Sequence, residues 1–321
     1  MKRFLNNFGP LFWVALLLLF LSLAPLAQAR EYRIAFIARS QADSFSAWFV
    51  NAISEEVVKY RSLHLEVMDS QADDAIENAF IENAVANGYD LIIVQPNNGE
   101  AQRPCIEHAI KEGVPVIITN PRIAGIQGAS TVDADAYEQA AVSARLALTQ
   151  VHQDARAVVL NGPNGNGHAM KRRQAWQKEF FNKRPDVQII GEQVANWNKD
   201  EAARLMQGWV EANGKIDLIV CMNDSMCIGA LEVIKDKPEY ADIHSYGVDG
   251  IVEAILLIQE GRMTATALQD AYKLASRTIE VAHDLLSGKI SQIDTDIENP
   301  LITRENVDQF IEIYRRAGAI K

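Results

Sequence analysis

Apolar positions along the chain fall into short continuous runs separated by stretches of helical period. Residues 32–38 form an apolar run that predicts a buried strand, and residues 45–60 carry apolar side chains at helical spacing. A strand follows at 63–68. Ile76, Phe80, Ile81, Ala84 and Val85 then mark one face of a helix closed by Gly88. Residues 91–94 are apolar without alternation, as a strand covered on both faces requires. A helix is predicted at 104–112, ended by Gly113, and a strand at 116–119. This β-α-β-α-β-α-β series implies a parallel sheet with right-handed crossovers.

The pattern then restarts. Helices are predicted at 136–151, 169–181, 201–213, 225–235, 251–260 and 273–286, with strands at 157–160, 187–194, 218–221, 244–248 and 263–268. Two βα series of similar length predict an α/β protein of two doubly wound parallel-sheet lobes. No low-complexity linker separates them, and no short-period repeat is evident.

The first 29 residues have a different character. Lys2 and Arg3 precede an apolar run at 11–23, and Ala27-Gln28-Ala29 is a small-x-small site. Together these predict a secretory signal peptide cleaved after Ala29. A membrane anchor is the competing reading, but Pro10, Pro25 and the small residues favour cleavage. The exported form carries 29 basic and 42 acidic residues, a net −13 against −11 for the full chain of 321. That acidity argues against nucleic acid as a partner and suits a freely diffusing monomer. Cys105, Cys221 and Cys227 are odd in number, so at most one pair can form; buried free thiols are the favoured reading for Cys221 and Cys227. The six histidines show no zinc-type spacing.

In open parallel sheets ligands bind beyond the carboxyl ends of the strands. The polar residues that follow each predicted strand are therefore the site candidates: Arg39 and Asp43, Asp69, Gln95 with Asn97 and Asn98, Asn120 with Arg122, residues 161–166, Trp197, Asn223 with Asp224, Asp249 and Gln269. Amides and carboxylates grip hydroxyl pairs, and indole faces stack on the C–H surfaces of a sugar ring. Any one Asn or Asp in such a place is more often a helix cap; the recurrence after nearly every strand is what makes a site.

Gly162-Pro163-Asn164-Gly165-Asn166-Gly167 lies where a phosphate loop would, but its spacing is G-x-x-G-x-G and no Gly-Lys-Ser/Thr follows. It reads better as a loop lining a ligand. No G-x-S-x-G, H-E-x-x-H or kinase set is present, so no enzyme and no cofactor is expected. Asp133 and Asp135 form a carboxylate pair better explained by capping or a hinge than by acid/base work.

Several phrases in order carry a family resemblance. They are Asp69-Ser70-Gln71-Ala72-Asp73, Gly88-Tyr89-Asp90-Leu91-Ile92-Ile93-Val94-Gln95-Pro96, Gly113-Val114-Pro115-Val116-Ile117, Asn223-Asp224-Ser225-Met226, Gly247-Val248-Asp249-Gly250 and Ile302-Thr303-Arg304-Glu305-Asn306-Val307. With them the chain resembles periplasmic sugar-binding proteins of the ribose-binding type over essentially the whole exported form. The resemblance implies two lobes joined by three crossing strands, residues 30–133 with 270–301 and residues 134–269 with 302–321. It implies crossings near Asp133, Gln269 and Leu301, and a ligand enclosed by lobe closure. It also implies delivery to an ABC permease, or presentation of the closed form to a sensor kinase or chemoreceptor.

Carried over position by position, Phe45 and Trp197 correspond to aromatics that stack on the sugar. Asn223, Asp249 and Gln269 correspond to polar ligand contacts, Asp43 and Gln95 stand where Asn is common, and Asn120 and Arg122 stand near a usual Asp-Arg. The pattern's Arg in the helix after the glycine-rich loop falls on Met170 in an ungapped match, with Lys171, Arg172 and Arg173 behind it. Trp48 is an extra aromatic. The loss of an acid and an Arg argues against ribose itself, and Arg39 adds a cation that an oxidised or otherwise modified sugar would suit.

Overall fold

The computed structural model describes residues 30–316 and 318–320, and the leader read at 1–29 lies outside them. Within the described residues the strands form two six-stranded sheets. The first contains β1 (Tyr32–Ala38), β2 (Leu63–Asp69), β3 (Leu91–Val94), β4 (Val116–Thr119) and β5 (Ser130–Ala134). Helices α1 (Ser44–Val57), α2 (Asp74–Ala86) and α3 (Gly99–Lys111) join the first four of these strands. After α4 (Ala136–Gln150), the second sheet is built from β6 (Arg156–Asn161), β7 (Gln188–Val194), β8 (Leu218–Cys221), β9 (His244–Asp249) and β10 (Ala265–Leu268). Its connecting helices are α5 (Gly167–Trp176), α6 (Lys199–Asn213), α7 (Asp224–Ile234) and α8 (Val252–Glu260).

The chain then returns to the first lobe through α9 (Ala271–Leu286) and β11 (Asp294–Ile297), and ends in the second with β12 (Leu301–Thr303) and α10 (Val307–Arg316). It therefore passes between the sheets three times: after β5, after β10, and between β11 and β12. The sheet orders are β11-β5-β4-β3-β1-β2 and β12-β10-β9-β8-β6-β7. All pairs are parallel except β10 with β12.

Both faces of each sheet are covered, which is why the central strands are apolar without alternation. Along β1, Ile34 and Phe36 pack with Phe49 and Ile53 of α1 and Ile279 of α9. Ala35 and Ile37 point the other way, onto Ile81 of α2 and Ile106 of α3. Each such fully buried Ile or Phe contributes about 1.5–3 kcal/mol by leaving water.

The structure departs from the sequence reading at α3 and β11, and it adds β5, β12 and α10, which the apolar pattern did not predict. Helix α3 begins at Gly99, not at Pro104, which lies inside it. The Gln102 side-chain Oε1 accepts from the Asn98 backbone amide (2.9 Å) at the extra first turn, and the proline removes only one helical bond, that to the Glu100 carbonyl. The polar segment at β11 gave no apolar run, yet it pairs with β5 at the sheet edge.

Seven Asn and Asp residues after strands are helix caps. Asp43, Asp73, Asp135, Asn166, Asn198, Asn223 and Asp270 each accept one or two amides of the following first turn. Capping does not remove them from the cleft. Asp43, Asn166 and Asn223 cap and also line the cavity between the lobes.

Candidate functional site

The carboxyl ends of both sheets face each other across a cavity of about 280 Å³. From the first lobe Arg39, Asp43, Phe45, Asn120 and Pro121 line it; from the second, Asn166, His168, Arg172, Trp197, Asn223 and Asp249, with Gln269 at a crossing. Most of these side chains are nearly sealed from solvent: Arg172, Asn223 and Asp249 are each 2% exposed. The lobes touch at the rim, where Asn166 Nδ2 donates to the Asn97 carbonyl (3.1 Å) and Ser225 Oγ to Ser44 Oγ (3.2 Å).

Of the residues singled out from the sequence, Arg39, Asp43, Phe45, Asn120, Trp197, Asn223, Asp249 and Gln269 converge on this cavity. Gln95 does not line it. It stands behind, where its Oε1 accepts from the Arg39 amide (3.2 Å) and Ser46 Oγ (2.8 Å), and its Nε2 donates to Asn120 Oδ1 (3.2 Å).

Four expectations are corrected. Arg122 turns away and pairs with Asp294 (3.0 Å) and Asp296 (2.6 Å) of β11, while its amide donates to Asp133 (2.7 Å). Met170 is 58% exposed and, with Lys171, borders a separate groove by the hinge. Trp48 packs edge-on against Tyr272 and Tyr314, away from the cavity. The reason for the Met170 error is helical phase. Asn166 caps α5, so the inward positions are His168 and Arg172, four apart, and Met170 between them faces out. The arginine of this helix that lines the cavity is Arg172.

Arg172 ties the cavity to the crossings. Its Nε and Nη2 donate to Gln139 Oε1 (3.0 and 2.8 Å), Nη2 also to Gln269 Oε1 (3.0 Å), and Nη1 to the Met222 carbonyl (2.7 Å). Gln139 Nε2 donates in turn to Gln269 Oε1 (2.7 Å) and Asn299 Oδ1 (3.1 Å). Asp249 lies 3.6 Å from Arg172. Burial pushes the Asp249 carboxyl well above the usual range, against the pull of Arg172 and with help from Asp224 and Asp43. Asp224 itself is pushed up to about 6 by burial, although Thr266 and the Ile251 and Gly250 amides donate to it. It thereby anchors the loop that presents Asp249.

His168 Nε2 meets Asp133 Oδ1 at 3.0 Å. Burial lowers the His168 pKa. It works to raise that of Asp133, but His168 and the Ala134 and Arg122 amides outweigh it and hold Asp133 low. Asp135 caps α4, so this acidic pair serves the hinge and the cap.

Of the seven non-glycine residues at positive φ among the described residues, Asn120 (45°), Trp197 (60°) and Asp249 (126°) line the cavity. Strained backbone gathers at functional sites, where the surrounding fold must enforce it. Trp197 stands near two guanidiniums, with Arg172 and Arg39 carbons 5.6 and 6.0 Å from its ring.

The glycine-rich loop is its backstop. A Cβ on Gly162 would lie 2.3 Å from Trp197 Cη2. Gly162→Ala is expected to tilt the indole and weaken capture at least tenfold with the unfolding midpoint nearly unchanged. Unchanged affinity in a titration would remove Trp197 from the site.

Behind the rim, Glu77 Oε2 accepts from the Asn97 amide (3.1 Å). Burial, with Asp74 adding to it, raises the Glu77 carboxyl from 4.5 to about 8. The folded protein thus holds a proton that the unfolded chain releases above about pH 4.5. Its contribution is full below that pH and is lost as pH rises through 8. The Tm is expected to fall between pH 5 and 8, and Glu77→Gln to flatten that fall; an identical slope in the variant would exclude Glu77 as the cause.

Residues 34–290 match the family model described as a periplasmic binding protein domain. The chain belongs to this family. Among its relatives, a xylitol-binding protein of Mycolicibacterium smegmatis is 27% identical over 255 residues, 79% of this chain and 72% of that protein. A solved ABC transporter solute-binding protein from Bacillus halodurans, with bound myo-inositol, superposes with TM-score 0.82 at 22% identity. It covers 90% of this chain and all of the other. The fructose-binding periplasmic domain of a hybrid two-component system gives TM-score 0.81 at 22% identity, over 90% and 97%. These structures share the two-lobed fold. The family's members are periplasmic proteins that bind sugars and polyols, and they are binding proteins, not enzymes.

Proposed function

We propose that this protein captures one sugar, polyol or related small molecule by closing its lobes around it, and hands it to an ABC permease. The observation that carries the reading is the sealed polar cavity whose wall is shared by both lobes. Phe45 and Trp197 offer faces to C–H surfaces, and Asn120, Asn223, Asp249 and Gln269 offer polar contacts. The leader at 1–29 would export the protein, with cleavage after Ala29.

A second reading is motivated by the fructose-binding domain above: the closed form is read by a sensor kinase. Neighbouring permease and ATPase genes favour the first reading, and a histidine kinase gene the second. Small-angle scattering tests capture by closure. Saturation with at least one of xylitol, myo-inositol, D-ribose or D-ribonate is expected to reduce the radius of gyration. An unchanged radius with all four counts against it.

A further inference from the structure

The cavity's hydrogen-bonding offer is lopsided, and the caps are the reason. Asn166 Oδ1 is held by the His168 and Ala169 amides (3.1 and 3.2 Å), and Asn223 Oδ1 by the Met226 amide (3.0 Å). Asp43 Oδ1 is held by the Phe45 and Ser46 amides (3.0 Å each), and its Oδ2 by Arg39. Gln269 Oε1 is held by Gln139 and Arg172. These oxygens already accept inside the protein, and Asn223 and Gln269 also have nitrogens to offer.

Asn120 completes the pattern through a relay. The Arg39 backbone amide can only donate, so the Gln95 atom facing it is Oε1. That turns Gln95 Nε2 toward Asn120, which must answer with Oδ1. Asn120 Nδ2 is then left buried without a partner among the described residues, as is Trp197 Nε1. Arg39 stands beside both: its amide shares Gln95 with Asn120, and its guanidinium lies near the Trp197 ring. Among the lining side chains, only Asp249 has both oxygens without a hydrogen bond from the protein.

An all-hydroxyl polyol brings one O–H donor per oxygen to a wall whose wholly unused side-chain acceptors are the two Asp249 oxygens, and buried donors without acceptors are costly. A ring ether oxygen accepts two bonds at most, whereas a carboxylate accepts about four. From this convergence of Asn120, Arg39 and Trp197 we infer that the captured molecule is a sugar acid whose carboxylate sits at that corner, its hydroxyls turned to Asp249. This rests on the capture function proposed above.

The test is calorimetric titration of the intact protein with D-ribonate, D-xylonate, L-arabinonate and D-gluconate, each beside its alditol. At least one acid is expected to bind tenfold or more tightly than its alditol. Asn120→Asp, equal in size, replaces the donor with an acceptor-only carboxylate; it is expected to weaken that acid at least a hundredfold and to strengthen the alditol. Thermal unfolding of the variant confirms that it folds. An alditol bound as tightly as its acid, or equal losses for both in Asn120→Asp, overturns the sugar-acid assignment and leaves capture standing. Silence toward every acid and alditol, and toward myo-inositol and D-ribose, overturns capture itself.

Discussion

Arg172→Met is expected to unfold about 3–5 kcal/mol more easily than the wild type and to lose ligand capture. The guanidinium is 2% exposed and serves five partners at once: Gln139, Gln269, the Met222 carbonyl, His168 and Asp249. Methionine fills much of the volume but returns none of those bonds. It leaves the Met222 carbonyl and the Gln139 amide oxygen without the guanidinium, takes one of two donors from Gln269 Oε1, and removes the cation beside Asp249. Because Gln139 also holds Gln269 and Asn299, the loss spreads to two of the crossings between lobes. Arg172→Lys keeps the charge but cannot reproduce a planar fork with several donors, so it is expected to fall close to the methionine variant. Urea unfolding and titration of both variants check this; wild-type stability in either would mean that the network does not support the fold.

Asp249→Ala is expected to weaken capture by about 2–5 kcal/mol, the range for truncating one member of a buried charge pair. Its carboxyl is the lining group with neither oxygen held by a hydrogen bond from the protein. The effect on folding has the opposite sign to that of Arg172→Met. Burial disfavours the ionised Asp249, so alanine relieves a cost at neutral pH, and the unfolding midpoint is expected to hold or rise. Loss of affinity without loss of stability separates a binding residue from a structural one. A variant that binds as tightly as the wild type would remove Asp249 from the site.

The sequence made the central strands legible because each is covered on both faces and must be apolar throughout, as at Leu91–Val94 and Leu218–Cys221. It concealed β11, an edge strand of Asp294, Thr295, Asp296 and Ile297, since exposure there asks for no apolar run. That omission caused the misplacement of Arg122. The residue does follow β4, but its partners are the two β11 carboxylates, which the pattern had not put beside it.

The site was largely legible because strand carboxyl ends converge. Capping and lining did not compete as alternatives: Asp43, Asn166 and Asn223 do both, with the oxygen in the cap. Arg172 stood behind Met170 in the ungapped match, which counts residues along the chain, whereas a helix places side chains by angle. The available signal was the spacing of Ala169, Arg172, Ala175 and Trp176, which share the buried face. His168 was hidden for a different reason: a lone histidine carries no spacing, and its partner Asp133 lies 35 residues away.

The most direct test of capture in this cavity is a calorimetric titration of the exported form and of Asp249→Ala, side by side, with xylitol, myo-inositol, D-ribose, D-ribonate and D-gluconate. At least one compound is expected to bind the wild type saturably at one molecule per chain and to give little or no heat with Asp249→Ala. No binding by any of the five, or equal binding by the two proteins, would contradict it.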